Sequence, residues 1–406
     1  MEYEDDKATS QRRGRRPSGG GGASAALTHD PRVAMWLAEE LSDGAARILI
    51  RLQSLADLRR MAVMPDVHPS RSVCVGCVLA TQEVVYPEAI GGDIGCGMSA
   101  VRMTGIGGVD LAGGAAERVL AALNRRVDVM ARSSTSVELD VDGPAPVQLR
   151  EERLAKSAAR TGTTQLGTLG RGNHFVEVQV DEEGAVWIMA HSGSRAMGQE
   201  VAAHYARAAR ERGVRSVLQG LRIDSVDGQK YMSDQEWCVR YAAANRRAIL
   251  QSAAAAVRAV VGGGADWGSF VDAPHNFVRI EEHGGTDLIV HRKGAAPAAA
   301  GRAGLIPGSA GTMSVHVEGR GSARSLCTSS HGAGRVLSRG DAKRSITVGT
   351  LRREMRGVAY DTRRENGLRD EAPAAYRDLR AVLRAQQELV KVTRTLRPLV
   401  SFKAGG

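Results

Sequence analysis

Apolar and polar residues follow two different periods along the chain, and each period predicts a different kind of element. Residues 115–131 place apolar side chains three and four positions apart, as one face of a helix does. Residues 175–180 and 186–190 are apolar in runs or in alternation, which is typical of strands. Between them, Asp181-Glu182-Glu183-Gly184 has the composition of a hairpin turn. This mixture predicts an α/β (α+β mixed) protein with β-sheets surrounded by helices.

Two further helices are predicted in the second half of the chain. Residues 233–261 are rich in alanine and open with Ser233-Asp234-Gln235-Glu236, a Ser-x-x-Glu capping box that predicts a helix start at Ser233. A C-terminal helix is predicted to end at Pro398 and to carry Arg and Lys opposite one apolar face. That apolar face consists of Val382, Leu383, Leu389, Val390 and Leu396.

The first 30 residues differ in composition from the rest of the chain. They are acidic, then Arg-rich, then Gly-rich, and no apolar segment follows the arginine pairs as it would in a twin-arginine signal. We predict a disordered tail over residues 1–30 and one domain over residues 31–406, since no repeat or low-complexity linker divides the remainder. No apolar run approaches the roughly 18 residues of a membrane span, so no membrane partner is expected.

The cysteines predict a reduced, cytoplasmic protein, because 5 scattered Cys in 406 residues do not make a disulfide framework. Cys74-x-x-Cys77 has half the spacing of a zinc site, but no second pair completes it. It falls in residues 73–80, an apolar stretch that predicts a strand, where residues three apart point to opposite faces. Packing is therefore a better interpretation of this pair than metal binding or redox chemistry.

Positive charge is concentrated near the C-terminus. Residues 331–406 hold 17 Lys+Arg against 8 Asp+Glu, while the first 330 residues hold 38 against 37, which together give the net charge of +10. Such asymmetry favours an anionic partner that docks at one place. A solvated helix surface rich in arginine is the alternative, so the charge alone is weak evidence for nucleic acid.

The segment from Ile90 to Met98 is the first candidate for chemistry. It reads Ile-Gly-Gly-Asp-Ile-Gly-Cys-Gly-Met, so Asp93 and Cys96 lie three residues apart among glycines. A carboxylate and a thiolate on such a turn can point at one ion, and mixed donors suit Mn, Fe, Co or Zn. A glycine-rich turn with a buried cysteine is the alternative.

Four histidines strengthen the metal hypothesis, because each lies beside Gly, Ser or Asn at the end of a predicted element. They are His174, His191, His275 and His331. Two loops, Ser192-Gly193-Ser194-Arg195 and Gly332-Ala333-Gly334-Arg335, combine backbone amides with a guanidinium, as phosphate sites do. His331 is also a candidate nucleophile, since imidazole can attack phosphorus and form a phosphoramidate.

Five motifs together resemble the RtcB family of RNA-splicing ligases, over nearly the whole chain from residue 33 to residue 403. They are residues 64–68 (Met-Pro-Asp-Val-His), 92–98, 166–175, 187–195 and 330–335. The resemblance implies a single α/β domain with a fold of its own and a metal and nucleotide cleft. It implies an Mn- and GTP-dependent ligase that joins an RNA 3′-phosphate or 2′,3′-cyclic phosphate end to a 5′-hydroxyl end, in tRNA splicing or RNA repair. The implied partners are RNA and GTP, with an archease-type activator as a further candidate.

The resemblance also implies residue roles. Cys96 would bridge two Mn ions, one completed by Asp93 and His174 and the other by His191 and His275. His331 would be the histidine that becomes guanylylated. The implied nucleotide contacts are Asn173, His174, Phe175, Val176, Glu177, His275, Asn276, Pro307, Gly308, Ser309, Ala310, Ser314, His331, Gly332, Ala333, Gly334, Tyr376 and Lys403. Arg195, Arg335 and Arg339 would contact RNA or triphosphate oxygens.

The chain departs from the family pattern at three places. Pro69-Ser70-Arg71-Ser72 replaces the usual Leu-Gly-Lys-Gly, Pro274 replaces a common His, and Gly92 replaces a common Val. The ligands and the nucleophile remain, so an active ligase is expected, but the changed loop leaves the RNA substrate open. The alternatives are a paralogue that repairs another damaged RNA such as ribosomal RNA, a GTP-independent Mn phosphoesterase, and an RNA-binding protein whose catalytic loop has decayed.

Overall fold

The computed structural model describes residues 27, 29–131 and 148–403. The strands, in chain order, are β1 (Val33–Met35), β2 (Arg60–His68), β3 (Val75–Thr81), β4 (Val84–Val85), β5 (Gly97–Gly107), β6 (Phe175–Asp181), β7 (Ala185–Ser192), β8 (Leu221–Arg222), β9 (Gly264–Pro274), β10 (Asn276–Glu282), β11 (Asp287–Lys293), β12 (Ala295–Pro297), β13 (Ala303–Ile306), β14 (Ser314–Gly319), β15 (Thr328–Ser330) and β16 (Val390–Phe402).

The α-helices alternate with these strands. They are α1 (Asp43–Gln53), α2 (Pro87–Ile90), α3 (Ala115–Arg126), α4 (Glu152–Ser157), α5 (Thr163–Gln165), α6 (Ala196–Arg212), α7 (Val226–Val261), α8 (Arg339–Ser345), α9 (Val348–Glu354), α10 (Glu365–Leu368) and α11 (Leu379–Ala385). Of the described helices, none is both long and apolar enough to cross a membrane. The expected mixed α/β class is confirmed.

Two sheets carry the architecture. The larger has seven strands in the order β13-β14-β16-β6-β7-β5-β9, and all of its pairs are antiparallel. The smaller has five strands in the order β1-β2-β3-β11-β10 and is antiparallel apart from the β1–β2 pair. Only His275 separates β9 of the larger sheet from β10 of the smaller one. The two sheets therefore meet at one residue of the chain.

The larger sheet is covered differently on its two faces. Side chains of α3 and α7 pack on one face, among them Leu123, Ile249 and Val257, and form the main hydrophobic core. On the other face a small cluster that includes Met98, Met189 and Leu305 fills the interior of the curved sheet, whose edge strands β9 and β13 lie against each other. The candidate site lies on this second face.

Helix α7 is the long predicted helix, but it begins earlier than its capping pattern indicated. Its N-cap is Ser225, whose side chain accepts a hydrogen bond from the backbone N–H of Gly228, and Ser233 lies two turns inside. A capping box also occurs within helices, where packing decides, so the predicted start at Ser233 was wrong. Helix α3 likewise ends at Arg126 rather than at residue 131. The strands and the hairpin at residues 175–190 are confirmed.

The predicted C-terminal helix is wrong beyond residue 385. Helix α11 stops there, and Val390 and Leu396 lie on strand β16, which pairs with β14 and β6 in the middle of the larger sheet. Pro398 is part of this strand, next to a register shift between Pro398 and Val400 that accommodates the missing N–H. Hydrogen bonds to β14 on one side and to β6 on the other stabilise this segment as a strand, although its apolar residues are spaced as in a helix.

The remaining predictions concern the cysteines and the tail. Cys74 precedes β3 instead of lying on it, and its side chain packs in the same hydrophobic cluster as that of Cys77, so the expectation of opposite faces was wrong. Both thiols are buried and free. The predicted disordered tail lies outside the described residues except at its end, and the division into tail and domain stays a prediction.

Candidate metal and nucleotide site

Adjacent strands bring the expected metal ligands to one edge of the larger sheet. Cys96 precedes β5, His174 precedes β6, and His191 is near the end of β7. Because β5, β7 and β6 are neighbours, His191 lies opposite both Met98 and Phe175 in the sheet register. Strand pairing thus brings residues that are far apart in sequence close together.

The ligand atoms are close enough to share a cation. The Sγ atom of Cys96 lies 3.1 Å from Nε2 of His191 and 3.7 Å from Nε2 of His174. Nε2 of His174 lies 3.4 Å from Oδ2 of Asp93, and Cys96, His174 and His191 are buried. All three ligand atoms of Cys96, His174 and His191 lie within 4.8 Å of one another, as a metal site requires.

Backbone carbonyls fix the orientation of both imidazoles. Nδ1 of His174 lies 2.8 Å from the carbonyl oxygen of Leu169, and Nδ1 of His191 lies 3.1 Å from that of Asn173. A carbonyl only accepts hydrogen bonds, so each Nδ1 carries the proton and donates it. Each Nε2 is thereby left with a free lone pair, the usual arrangement of histidine ligands.

Burial favours the neutral forms of His191, His275 and Cys96. It lowers the pKa of His191 and His275 well below the ordinary value, which favours the unprotonated imidazole that binds metal. Burial and the Asp93 carboxylate raise the pKa of the Cys96 thiol well above its ordinary value. Imidazole nitrogens, a thiol and a carboxylate together form a donor set for a cation. A bound metal ion would displace the proton of the thiol.

A row of rings connects the cluster to His331. The ring centroids of His191 and His275 are 5.2 Å apart, and those of His275 and His331 are 4.6 Å apart. The backbone N–H of His275 donates to the carbonyl oxygen of Cys96 at 2.8 Å, which holds the junction between the two sheets against the ligand turn. The structure therefore brings Asp93, Cys96 and all four predicted histidines together.

Asp66 holds His331, and sequence reasoning gave it no role. Its Oδ2 atom lies 2.6 Å from Nδ1 of His331 and also accepts the backbone N–H of His331 at 3.2 Å. Asp66 is fully buried on β2, among otherwise apolar neighbours. A single carboxylate within such a strand was the signal that could have identified it, because burying a charge requires a partner.

A cavity of about 320 Å³ opens beside the cluster and contains most of the expected nucleotide residues. Those in its wall are Asn173, Phe175, Glu177, His275, Asn276, Pro307, Gly308, Ser309, Ala310, His331, Gly332, Ala333, Gly334, Tyr376 and Lys403. The cavity also has wall residues that sequence reasoning did not assign: His68, Val75, Met98, Lys293, Glu371 and Ser401. The volume and polar lining fit a small polar ligand.

Three expected nucleotide residues are not part of this wall. His174 is part of the candidate metal site and does not line the cavity. Val176 points to the opposite face of β6, into the main hydrophobic core. The Ser314 hydroxyl is buried and accepts a hydrogen bond from Nε2 of Gln179 at 3.1 Å, while the same Nε2 donates to Glu177 at 2.8 Å. Ser314 is thus connected to the cavity through Gln179.

The three arginines expected to bind phosphate differ in position. Arg335 and Arg339 line the cavity, where Arg335 donates to the Tyr376 hydroxyl at 2.9 Å and Arg339 contacts Glu371 at 2.7 Å. Arg195 lies outside the cavity wall and donates to Thr168 Oγ1 at 3.1 Å. Its backbone has the unusual φ of 59° immediately before helix α6.

The fold and the site define a mixed α/β protein with a candidate metal centre beside a ligand cavity. The family model described as tRNA-splicing ligase RtcB matches residues 49–148 and 144–404 of this chain. The chain therefore belongs to the RtcB family.

Relatives of the chain carry related names. The RNA-splicing ligase RtcB1 of Escherichia coli ATCC 25922 is 34% identical over 373 residues, which cover 85% of this chain and 90% of that protein. The RNA-splicing ligase RtcB2 of the same strain is 28% identical over 381 residues, covering 87% and 90%. The tRNA-splicing ligase RtcB of Pyrococcus horikoshii is 32% identical over 297 residues, covering 61% of this chain and 34% of that protein.

Proposed function

We propose that the protein is a GTP- and Mn-dependent RNA ligase that joins 3′-phosphate or 2′,3′-cyclic phosphate ends to 5′-hydroxyl ends through guanylylated His331. The observation that carries the proposal is the Asp66–His331 pair, whose imidazole lines the same cavity as the metal cluster. Membership of the RtcB family and the names of its relatives support the ligase reaction. A cytoplasmic location and an archease-type activator belong to the same proposal.

The donors suit Mn²⁺, and the proposal assigns two ions to them. Asp93, Cys96 and His174 would hold one ion, and Cys96, His191 and His275 would hold the other. Bound Mn would neutralise phosphate charge and act as a Lewis acid. The imidazoles of His174 and His191 are already oriented by backbone carbonyls, so these two ligands need little reorganisation on binding.

Asp66 prepares His331 for attack on phosphorus. Because Nδ1–H of His331 donates to Asp66, the lone pair of Nε2 is free to act as the nucleophile. A P–N bond forms between Nε2 and the α-phosphorus of GTP while the bond to pyrophosphate breaks, and pyrophosphate leaves. The RNA 3′-phosphate then takes the guanylyl group from Nε2, and the 5′-hydroxyl of the second RNA end displaces GMP.

Charged residues at the far end of the cavity would hold the nucleotide. Nζ of Lys403 lies 2.9 Å from Oε2 of Glu371, and both are buried. Glu177 would accept hydrogen bonds from guanine, whose ring N–H and amino group are donors. Gln179 already holds this carboxyl group in place.

Labelling with GTP tests the first chemical step. The purified full-length protein with Mn²⁺ and α-labelled GTP is expected to form an acid-labile, base-stable adduct, and His331→Ala should abolish it. His204→Ala is the matched control, since this histidine lies on α6 outside the cavity and contacts Glu151. A wild-type protein that never becomes labelled would refute the proposal, and Mn-dependent cleavage of cyclic phosphates that survives His331→Ala would favour the phosphoesterase.

A repair paralogue is the second candidate, because the loop that departs from the family pattern contacts the cavity wall. Lys293 lines the cavity, and its Nζ atom donates to Ser70 Oγ at 3.2 Å and to the carbonyl oxygen of Val73 at 2.8 Å. The loop that departs from the family pattern is therefore tied to a cation in the cavity wall. Ligation measured on broken tRNA and on broken ribosomal RNA would separate the two, because a repair paralogue should prefer the latter.

A further inference from the structure

Two adjacent residues of helix α7 lie beneath the candidate metal centre without lining its cavity. Asn245 and Arg246 are both fully buried, and neither belongs to the cavity wall described above. Arg246 is among the largest fully buried side chains of the described residues. Burying a guanidinium costs several kcal/mol unless every donor is used, so such a residue needs an explanation.

The Arg246 guanidinium joins the three chain segments that carry Cys96, His191 and His275. Its Nη1 atom donates to the carbonyl oxygen of Gly95 at 2.7 Å and to that of Ser192 at 3.1 Å. Gly95 immediately precedes Cys96, and Ser192 immediately follows His191. Its Nη2 atom donates to Oδ2 of Asp272 at 2.9 Å, three residues before His275 on β9.

The remaining nitrogen of the Arg246 guanidinium, Nε, makes two further hydrogen bonds. It donates to Ser99 Oγ at 3.0 Å and to Oδ1 of Asp272 at 2.8 Å. Ser99 lies opposite Asp272 in the β5–β9 register, so the fork also bridges these two strands. The guanidinium is planar, and one rigid group therefore sets the relative positions of all three segments.

Asn245 ties the segment that carries His174 to the segment that follows His191. Its Oδ1 atom accepts the backbone N–H groups of Gly167 at 2.7 Å and Thr168 at 3.2 Å, and its Nδ2 atom donates to the carbonyl oxygen of Gly193 at 3.1 Å. Nδ2 also donates to Ser192 Oγ, which in turn donates to the carbonyl oxygen of Leu169, the group that orients His174.

We infer that Arg246, together with Asn245, is a positioning residue that holds the four ligand-bearing segments in metal-binding geometry. This inference rests on the proposed function in one respect, namely that the cluster takes Mn²⁺. Arg246 touches no ligand side chain through these bonds and acts through the backbone on either side of the ligands.

The test is the affinity of the purified full-length protein for Mn²⁺, measured by titration calorimetry without GTP or RNA. Arg246→Met is expected to weaken Mn²⁺ binding by roughly 10- to 100-fold, the usual effect of losing a residue that orients ligands. Arg246→Lys keeps the positive charge beside Asp272, but a lysine cannot reach the carbonyl oxygens of Gly95 and Ser192 at once. We therefore expect a loss of Mn²⁺ affinity smaller than that of Arg246→Met. Arg247→Met is the matched control, because Arg247 is the next residue and stacks on Trp267 instead.

A second control separates positioning from stability. Ile249→Ala lies one turn further along α7, removes packing from the main core and lowers the melting temperature without removing a side-chain hydrogen bond to a ligand-bearing segment. Its Mn²⁺ affinity should remain that of the wild type. If Ile249→Ala and Arg246→Lys weaken Mn²⁺ binding equally at equal melting temperature, Arg246 is only structural and the inference is overturned.

The inference and the proposed function fail in distinguishable ways. Wild-type affinity for Mn²⁺ in Arg246→Met overturns the inference. If Arg246→Met does not fold, Arg246→Lys decides, since it leaves no uncompensated charge at Asp272. A wild-type protein that binds Mn²⁺ but is never labelled by GTP overturns the proposed function and leaves the comparison of affinities valid.

Discussion

Two buried carboxyl groups in the cavity wall differ because their neighbours differ. The pKa of Glu177 is raised to about 8, chiefly by burial, which the hydrogen bond from Gln179 only partly offsets. Burial acts on Glu371 in the same direction, but Lys403 and Arg339 outweigh it and lower the pKa of that carboxyl group. Without a ligand, Glu177 therefore holds its proton near neutral pH while Glu371 is ionised.

This difference predicts a pH-dependent stability at Glu177. Between the ordinary pKa of 4.5 and about 8, the unfolded chain loses a proton that the folded protein keeps, so the free energy of unfolding falls as the pH rises through this window. Glu177→Gln does not titrate, and at about pH 8 it should be more stable than the wild type by up to roughly 4 kcal/mol.

Urea unfolding of the metal-free and nucleotide-free protein at about pH 5 and about pH 8 measures this effect. The gain of Glu177→Gln should be small at the lower pH and large at the higher one. Glu117→Gln, on the exposed side of α3, is the matched control and should show no such change. An equal gain at both pH values would contradict the prediction.

At the residue scale, sequence patterns predicted the candidate ligands, which the structure brings together, but not the residues that hold them in place. Asp93, Cys96 and the four histidines are close together as expected, because Gly- and Ser-rich flanks mark places where side chains converge. Asp66 was given no role although it lies in the motif of residues 64–68, and Arg246 was missed because it lies inside a helix with no local motif. Their contacts reach partners far away in sequence, 265 positions for Asp66 and His331 and 151 for Arg246 and Gly95, to which no local pattern points.

At the element scale, close approach of two strands gives Gly97 its importance. A Cβ atom there would lie 2.7 Å from Cα of Pro274 and 2.8 Å from the carbonyl oxygen of Ala273, where β5 and β9 pair beside Cys96 and His275. Backbone atoms cannot move aside cheaply at such distances. Glycine is therefore required by the neighbouring strand rather than by a turn.

Gly97→Ala is expected to force β5 and β9 apart and to destabilise the protein by about 2–4 kcal/mol, with weaker Mn²⁺ binding as well. Thermal unfolding and Mn²⁺ titration measure the two effects. Gly367→Ala is the matched control, because a Cβ atom at that position on α10 would meet no atom within 4 Å. Equal stability of Gly97→Ala and Gly367→Ala would contradict the prediction, because β5 and β9 would then accommodate a Cβ atom at residue 97.

The elements that the sequence predicted correctly are those in which the spacing of apolar residues matches the face that the fold buries. The hairpin at residues 175–190 and the core of α7 are examples. Strand β16 was missed because Val382, Leu389 and Leu396 recur every seven positions, a spacing that suits one face of a helix. Its pairing with β14 and β6 involves residues far away in sequence, so its type is decided by the sheet.

At the scale of the whole molecule, the surplus positive charge has a measurable consequence. Many basic residues of residues 331–406 are paired locally, as in Arg352–Glu365 and Arg363–Asp361, so fewer than the 17 are free to contact a polyanion. If the remainder follows an RNA backbone, the affinity for single-stranded RNA should fall between about 50 and 200 mM salt, with a logarithmic slope of about −0.7 per phosphate contacted.

Fluorescence anisotropy of a labelled RNA with a 3′-phosphate, without GTP, measures this slope. A footprint of about four phosphates would give a slope near −3. A slope near zero would instead assign the surplus charge to a solvated arginine surface, the alternative that the composition left open.

The site spans nearly the whole length of the chain, and this has a consequence for biosynthesis. Asp66 and His331 are separated by 265 positions, and Lys403 closes the cavity from the last strand. A ribosome releases these segments in order, from the N-terminus. A nascent chain that has not reached His331 lacks the imidazole beside Asp66, and one that has not reached Lys403 lacks part of the cavity wall, so the cavity cannot be complete before residue 403 has been synthesised.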